Sequence, residues 1–181
     1  MRTLYTWLSR INGLIVSLAL VAAAAMMVQV SLDVICKYLF NYPIPLTPEA
    51  VSSFYMVALI FLPLGLVTRE RGHVGVDLFT KNLSPRRLAL FDSFGDLLGV
   101  IYVALLVYFT GAEALHQTAI GETWETAFGY VEIWPARWLV PVGCMSMGLW
   151  FMLLFIDDLR FGITGTRSLA PPSGHDTIPE I

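Results

Sequence analysis

Four long apolar runs constrain the fold of this chain more than any other feature. They cover residues 13–35, 51–67, 88–109 and 139–156. A helix needs about 20 mostly apolar residues to cross roughly 30 Å of hydrocarbon, and these runs reach or approach that length. Hydrophobic residues make up 56% of the 181 residues and charged residues only 14%, which is too apolar for a soluble domain of this size. The sequence predicts an all-α integral membrane protein with four transmembrane helices.

The second and fourth runs are shorter than the other two. Pro48 and Pro135 lie just before them, and proline is well suited to the first turn of a helix because its missing N–H is not needed there. We therefore expect both helices to begin upstream of their apolar runs. Ser84 and Pro85 provide the same kind of start for the third helix.

The basic residues predict the orientation of the four helices, because Lys and Arg concentrate in short cytoplasmic loops. Nine of the eleven lie in segments that a four-span protein places on one side: Arg2, Arg10, Arg69, Arg71, Lys81, Arg86, Arg87, Arg160 and Arg167. Only Lys37 and Arg137 fall on the other side. The prediction is that both termini are cytoplasmic. An N-terminal apolar run that continues past Ala25 as far as Ile35 is typical of an uncleaved anchor rather than a signal peptide.

We predict a four-helix membrane domain over residues 1–161 and a disordered cytoplasmic tail over residues 162–181. The tail is rich in Gly, Thr, Ser and Pro and has too few apolar residues to form a core. Between the second and third spans, residues 77–87 mix apolar and basic side chains. This segment fits either an interfacial amphipathic helix or a short loop packed on the helix ends.

Two sets of polar residues within the spans share a helical face. Gln29, Asp33 and Lys37 are spaced four apart in the first span, an arrangement that favours internal pairing or contact with a partner helix over an ion relay. Asp92 and Asp96 are also four apart, and two carboxylates on one face repel each other unless a cation intervenes. We expect Arg69, Arg86 or Arg87 to supply that charge, with cation coordination as the alternative.

The sequence favours no catalytic or cofactor role. The three histidines fall outside the centres of the apolar runs, where a haem-ligating pair would be needed. We identify no metal-ligand cluster, nucleophile with its base, or basic patch with aromatic residues for nucleic acid. Pro63 and Pro141 lie inside predicted helices, where proline removes a backbone hydrogen bond and produces a kink.

Several short motifs follow one another in a characteristic order. Lys37-Tyr38-Leu39-Phe40-Asn41 is followed by Pro45 and Glu49, then by Gly65, Arg69 and Gly72-His73-Val74-Gly75-Val76-Asp77, and the fourth run contains Pro141-Val142-Gly143. Together these motifs resemble the small membrane subunit of the tripartite ATP-independent periplasmic (TRAP) transporters, the DctQ-like family.

The resemblance implies a non-catalytic accessory subunit in the plasma membrane of a bacterium or archaeon. Its expected partners are membrane lipid, a large TRAP membrane subunit and a periplasmic substrate-binding protein. The large subunit is expected to carry the sodium and substrate sites, so this chain needs no cofactor of its own, and family substrates are mostly organic acids, including dicarboxylates. The residues expected at partner interfaces or in structural contacts are Lys37, Glu49, Arg69, His73, Asp77, Asp92, Asp96, Pro141 and Gly143.

Two other functions stay open at this point: a self-contained small carrier and a redox membrane anchor. The predicted outer loop contains Glu113, Glu122, Glu125 and Glu132, together with Trp124, Trp134 and Trp138 at the expected membrane interface. Its acidic side chains either steer a basic patch of a binding protein or are simply solvated.

Overall fold

A computed structural model describes residues 2–42, 44–71, 85–126 and 129–165 of the chain. The helices are α1 (Arg2–Phe40), α2 (Thr47–Ala50), α3 (Met56–Phe61), α4 (Leu64–Arg69), α5 (Pro85–Ile120), α6 (Trp134–Arg137) and α7 (Leu139–Thr164). Two short strands, β1 (Thr123–Thr126) and β2 (Gly129–Glu132), lie between α5 and α6.

The prediction of four membrane-spanning helices is confirmed. The first span is α1, the second comprises α2 to α4, the third is α5, and the fourth comprises α6 and α7. The helices that are long and apolar enough to cross a membrane cover Tyr5–Phe40, Thr47–Arg69, Arg86–Ile120 and Trp134–Thr164. As expected, α2 and α6 carry Pro48 and Pro135 in their first turns, and α5 begins at Pro85.

The second span is divided into short pieces. Val51–Tyr55 forms a π-helical turn between α2 and α3. The chain leaves regular helix again at Leu62 and Pro63, because proline has no N–H to donate and its ring crowds the preceding turn. The carbonyl of Pro63 then accepts the N–H groups of Leu66 and Val67 at 2.8 and 3.1 Å, which starts α4.

The four spans are arranged as an open row. The third span packs along the fourth, α3 and α4 of the second span also pack on the fourth, and α1 packs mainly on the second span, with further contacts from Tyr5 and Asn12 to the fourth. In an apolar 18-residue stretch of the fourth span 33% of the residues are buried, compared with 11% in the corresponding stretch of the first span. A small cluster of Ala19, Ala58 and Leu62 fills the contact between the first and second spans. The fourth span is therefore the central element of the row.

Two glycines allow the second and fourth spans to approach closely. A Cβ at Gly65 would collide with the hydroxyl of Ser146, and a Cβ at Gly143 would collide with the backbone carbonyl of Phe61. Pro141 lies buried on the same helix as Gly143. Small residues at such crossings permit the backbone approach on which helix association in lipid depends. The Pro-apolar-Gly motif of the fourth span is thus part of a helix crossing.

The row has two distinct ends. We call the end that holds Arg71, Arg86 and Gly165 the terminal end, because both ends of the described chain lie there. The opposite end is the hairpin end, where β1 and β2 pair as an antiparallel hairpin with Trp124 opposite Val131. The hairpin was not predicted, although β-branched and aromatic residues on both sides of Gly129 favour one.

Some sequence predictions concern residues at the edge of the described chain or beyond it. Helix α7 continues past the predicted domain boundary at residue 161 and ends at Thr164, where Gly165 adopts a left-handed φ of 72°. Residues 166–181 of the predicted tail, and residues 77–84 of the predicted interfacial segment, lie outside the described residues.

The Gly143 crossing generates the first prediction. Gly143→Ala should destabilise the chain by about 1–3 kcal/mol, because the new methyl group has no space against the Phe61 carbonyl. Gly111→Ala is the matched control, since a Cβ at this helical glycine would meet nothing within 4 Å and alanine favours helix by about 0.5–1 kcal/mol. Thermal unfolding in detergent, followed by circular dichroism, distinguishes the two. Equal melting temperatures for the two variants would contradict the close crossing.

Candidate functional site

Arg69 joins three spans at the terminal end. Its guanidinium donates to the hydroxyl of Ser9 in the first span at 3.2 Å. The same group lies 5.9 Å from the ring of Tyr5 and 5.8 Å from the ring of Trp150 in the fourth span, and the two rings meet edge to face. Cation–π contacts of this kind contribute about 0.5–2 kcal/mol. Arg69 therefore fastens the start of the first span to the second and fourth spans.

Arg71 forms a second junction, between the second, third and fourth spans. It pairs with Asp158, whose side chain is 1% exposed, and its Nη1 lies 3.5 Å from Oδ2 of Asp92. Asp96 also interacts electrostatically with both Arg71 and Asp158. Burial alone would lower the pKa of Arg71, but the neighbouring carboxylates raise it, so the guanidinium stays charged.

The backbone conformation of Arg71 is unusual. Its φ of 50° is left-handed, which is uncommon for a residue other than glycine. The ion pairs with Asp92 and Asp158 hold the side chain in place at the point where the chain leaves the second span. This contact stabilises the turn as well as the packing of the spans.

The predicted cation for Asp92 and Asp96 is therefore present, but it is not one of those proposed from the sequence. Arg69 contacts Ser9 and two aromatic rings, and the side chains of Arg86 and Arg87 are exposed. The sequence analysis did not identify Arg71 as the cation for these carboxylates, and it did not identify Asp158 as a further partner. The available signal was their position, since each charge lies directly beyond an apolar run and both are at the same end of the protein.

A buried polar contact lies beside the Arg69 junction. The hydroxyl of Ser146 in the fourth span donates to Oδ1 of Asn12 in the first span at 3.3 Å. Asn12 is 1% exposed, and a Cβ at Gly65 would lie 2.7 Å from its Oδ1. Interhelical hydrogen bonds between polar side chains are one of the forces that hold helices together in lipid. Three spans thus meet at Asn12.

At the hairpin end, the polar face of the first span contacts the second span and the loop that precedes it. Gln29 accepts a hydrogen bond from the Tyr55 hydroxyl at 2.8 Å, and Asp33 accepts the N–H of Ile44 at 2.6 Å. Lys37 lies in the last turn of α1 with an exposed side chain. The predicted contact of this face with a neighbouring helix is seen for Gln29, whereas Asp33 binds the loop that leads into the second span and a role for Lys37 stays a prediction.

Glu49 lies in the first turn of α2 and is partly buried. It makes no side-chain cap to the helix, and its Oε2 is buried without a hydrogen-bond partner among the described residues. The expected interface or structural role of Glu49 therefore stays a prediction. His73 and Asp77 lie outside the described residues, so their proposed contacts stay predictions.

The hairpin is anchored to the third and fourth spans. Arg137 donates from Nε and Nη2 to the two carboxylate oxygens of Glu122, at 2.9 and 2.7 Å. The hydrogen bonds from Arg137 lower the pKa of Glu122. Trp138 donates to the Thr118 hydroxyl at 3.0 Å, and Trp134 donates to Glu132 at 3.1 Å. Of the four glutamates predicted in the outer loop, Glu122 therefore forms a structural ion pair with Arg137.

The geometry agrees with a comparison against protein families. The family model for tripartite ATP-independent periplasmic transporters, DctQ component, matches residues 26–161, which is more than half of the chain. The chain belongs to the DctQ family. A comparison with curated protein sequences gives no match. The resemblance found in the motifs is confirmed, and a DctQ component is a non-catalytic subunit of a transporter.

The DctQ match covers some of the contacts between spans but not others. Arg71, Asp92 and Asp158 lie inside the matched residues, whereas Ser9 and Asn12 precede them. The residues that join the second, third and fourth spans therefore belong to the part that the family model describes. Those that attach the start of the first span lie outside it.

The Arg71 junction generates a prediction about this DctQ component. Arg71→Gln should destabilise the chain by about 3 kcal/mol, because it leaves the buried Asp158 carboxylate without its cation. Arg137→Gln is the matched control, since the side chain of Arg137 is 46% exposed and loss of its pair with Glu122 should cost no more than about 1 kcal/mol.

A double variant tests whether the effect arises from the pair itself. Arg71→Gln with Asp158→Asn should recover part of the lost stability in a double-mutant cycle, measured by thermal unfolding in detergent. Simple addition of the two single effects would show that Arg71 and Asp158 are not energetically coupled.

Proposed function

We propose that this DctQ component is the small permease subunit that braces a large membrane subunit during sodium-coupled uptake of an organic acid. A periplasmic binding protein delivers the substrate. The proposal rests on family membership and on one structural observation, the open row of spans.

The open row favours a brace over a carrier. A small carrier needs polar groups that converge near the middle of the membrane on a path between its helices. In the described chain, the ion pairs lie towards the two ends of the spans and link neighbouring spans to one another. The Gln29–Tyr55 hydrogen bond joins the first and second spans, and the Asn12–Ser146 hydrogen bond joins the first and fourth, so both pair polar groups between spans.

The first span supports the same function. Of its side chains from Tyr5 to Phe40, only those of Asn12 and Ala19 are buried. A long helix held by a few contacts presents a broad apolar surface to its surroundings. In lipid such a surface costs little to expose, and it can be covered by the helices of another subunit through close packing.

The redox-anchor alternative receives no support from the described histidine. His116 lies on α5 towards the hairpin end with an exposed side chain. A haem ligand in a four-helix anchor would face a second ligand inside the bundle. The transport function therefore accounts better for the arrangement.

Reconstitution tests the proposed function. Proteoliposomes should take up a labelled organic acid only when they contain this chain, the large membrane subunit and the purified binding protein, together with an inward sodium gradient. This chain alone should give no uptake, because the substrate and sodium sites are assigned to the large subunit. A full rate without this chain, or uptake by this chain alone, would overturn the proposal.

The proposed orientation places both termini and the terminal end in the cytoplasm. It is supported by the basic residues of that end. In a variant with Cys36 and Cys144 replaced by Ser, Glu125→Cys should react with a membrane-impermeant maleimide in intact spheroplasts. Thr164→Cys should react only after the membrane is opened. The reverse pattern would invert the orientation.

A further inference from the structure

One face of the third span combines exposed apolar side chains with an arginine at its end. Four apolar residues follow Arg87 at spacings of four, seven, eleven and eighteen, which places them on the same side of the helix as Arg87. They are Phe91, Phe94, Leu98 and Leu105. Phe91 and Phe94 are each 60% exposed, and Leu98 is 52% exposed. We call these five residues the α5 column.

The column faces away from the rest of the protein. The opposite side of α5 buries Ala89, Ser93 and Val103 against the fourth span. Because the third span is at one edge of the row, no other described span covers the column. Its surroundings are therefore the bilayer or another molecule within it.

Arg86 and Arg87 place two positive charges at the terminal end of the column. Both side chains are exposed, and neither forms an ion pair with a carboxylate of the described residues. Asp92, the nearest carboxylate along the same helix, is paired with Arg71. The guanidinium of Arg86 lies beside the end of the fourth span, since a Cβ at Gly165 would be 2.6 Å from its Nη2.

The part of the column from Arg87 to Leu98 matches one leaflet of a membrane. The eleven steps between these two residues rise by about 16 Å at 1.5 Å per residue, and half of the hydrocarbon core is about 15 Å. An acyl chain that starts at the level of the arginines therefore ends near Leu98. A free anion would use the two arginines but would gain nothing from the aromatic and aliphatic side chains below them.

We infer that the α5 column and Arg86 bind an anionic phospholipid from the leaflet at the terminal end. The phosphate accepts hydrogen bonds from the guanidinium group of Arg87, whose planar donors suit phosphate oxygens, and Arg86 adds a second positive charge at the same level of the membrane. One acyl chain lies along Phe91, Phe94 and Leu98. This inference rests on the membrane spans and the exposed arginines, and it does not depend on the proposed transport function.

Native mass spectrometry of the full chain, purified from its membrane together with any subunit that remains bound and called the complex below, tests the inference. Before measurement, the complex is incubated with phosphatidylglycerol or phosphatidylcholine of identical chain length. The wild type should retain more phosphatidylglycerol than phosphatidylcholine. Arg86→Gln with Arg87→Gln should lower the amount retained per complex by about tenfold for the one site, because charged hydrogen bonds to the phosphate are lost. Arg86→Lys with Arg87→Lys should preserve most of the preference for the anionic lipid.

Arg137→Gln is the matched control, because it removes one arginine at the hairpin end and should leave lipid retention unchanged. Excess inorganic phosphate should not displace the lipid if the acyl chain contributes, and displacement by phosphate would overturn the assignment to a lipid. Equal retention of both lipids by the wild type, or unchanged retention by the double glutamine variant, would also overturn it. Loss of the large subunit from the double variant with no change in lipid retention would assign the two arginines to a protein contact instead.

Discussion

The contact of the fourth span with its two neighbours holds this protein together. Lipid is as apolar as leucine, so burial of apolar side chains does not by itself drive helices together in a membrane. Close backbone approach and polar contacts must do so. Gly143 provides the close approach to the second span, and Asp158 binds Arg71, which in turn contacts Asp92 of the third span. The first span then depends on this assembly through Ser9, Asn12 and Gln29.

Most of the architecture could be predicted from the sequence, because the bilayer imposes a length and a composition on every span. The early helix starts at Pro48 and Pro135 followed from the chemistry of proline. The row arrangement could not be predicted in this way. It depends on which faces of the helices touch, and uniformly apolar helices carry little pattern that identifies those faces.

The polar contacts were only partly predictable for a related reason. Spacing along one helix identified Asp92 and Asp96 as a pair that requires a cation, but the cation is supplied by a different span. Arg71 was seen in the sequence as one of the basic residues that indicate orientation. Its second role, as the cation that pairs with Asp92 and Asp158, depends on contacts between different spans that the sequence does not reveal. The DctQ family match identifies the class of protein, and the structure shows how its charges are used.

An open row of helices has a consequence for how this chain can be extended. Unlike a closed bundle, in which the first and last helices of the ring also pack together, this row does not pack the described parts of its first and third spans against each other, so that each forms a free edge. A helix from another molecule can lie against the first span without separating any pair of spans already in contact. The layer of helices can therefore be widened in the membrane by adding a helix at one edge, while the contacts between the four spans remain unchanged.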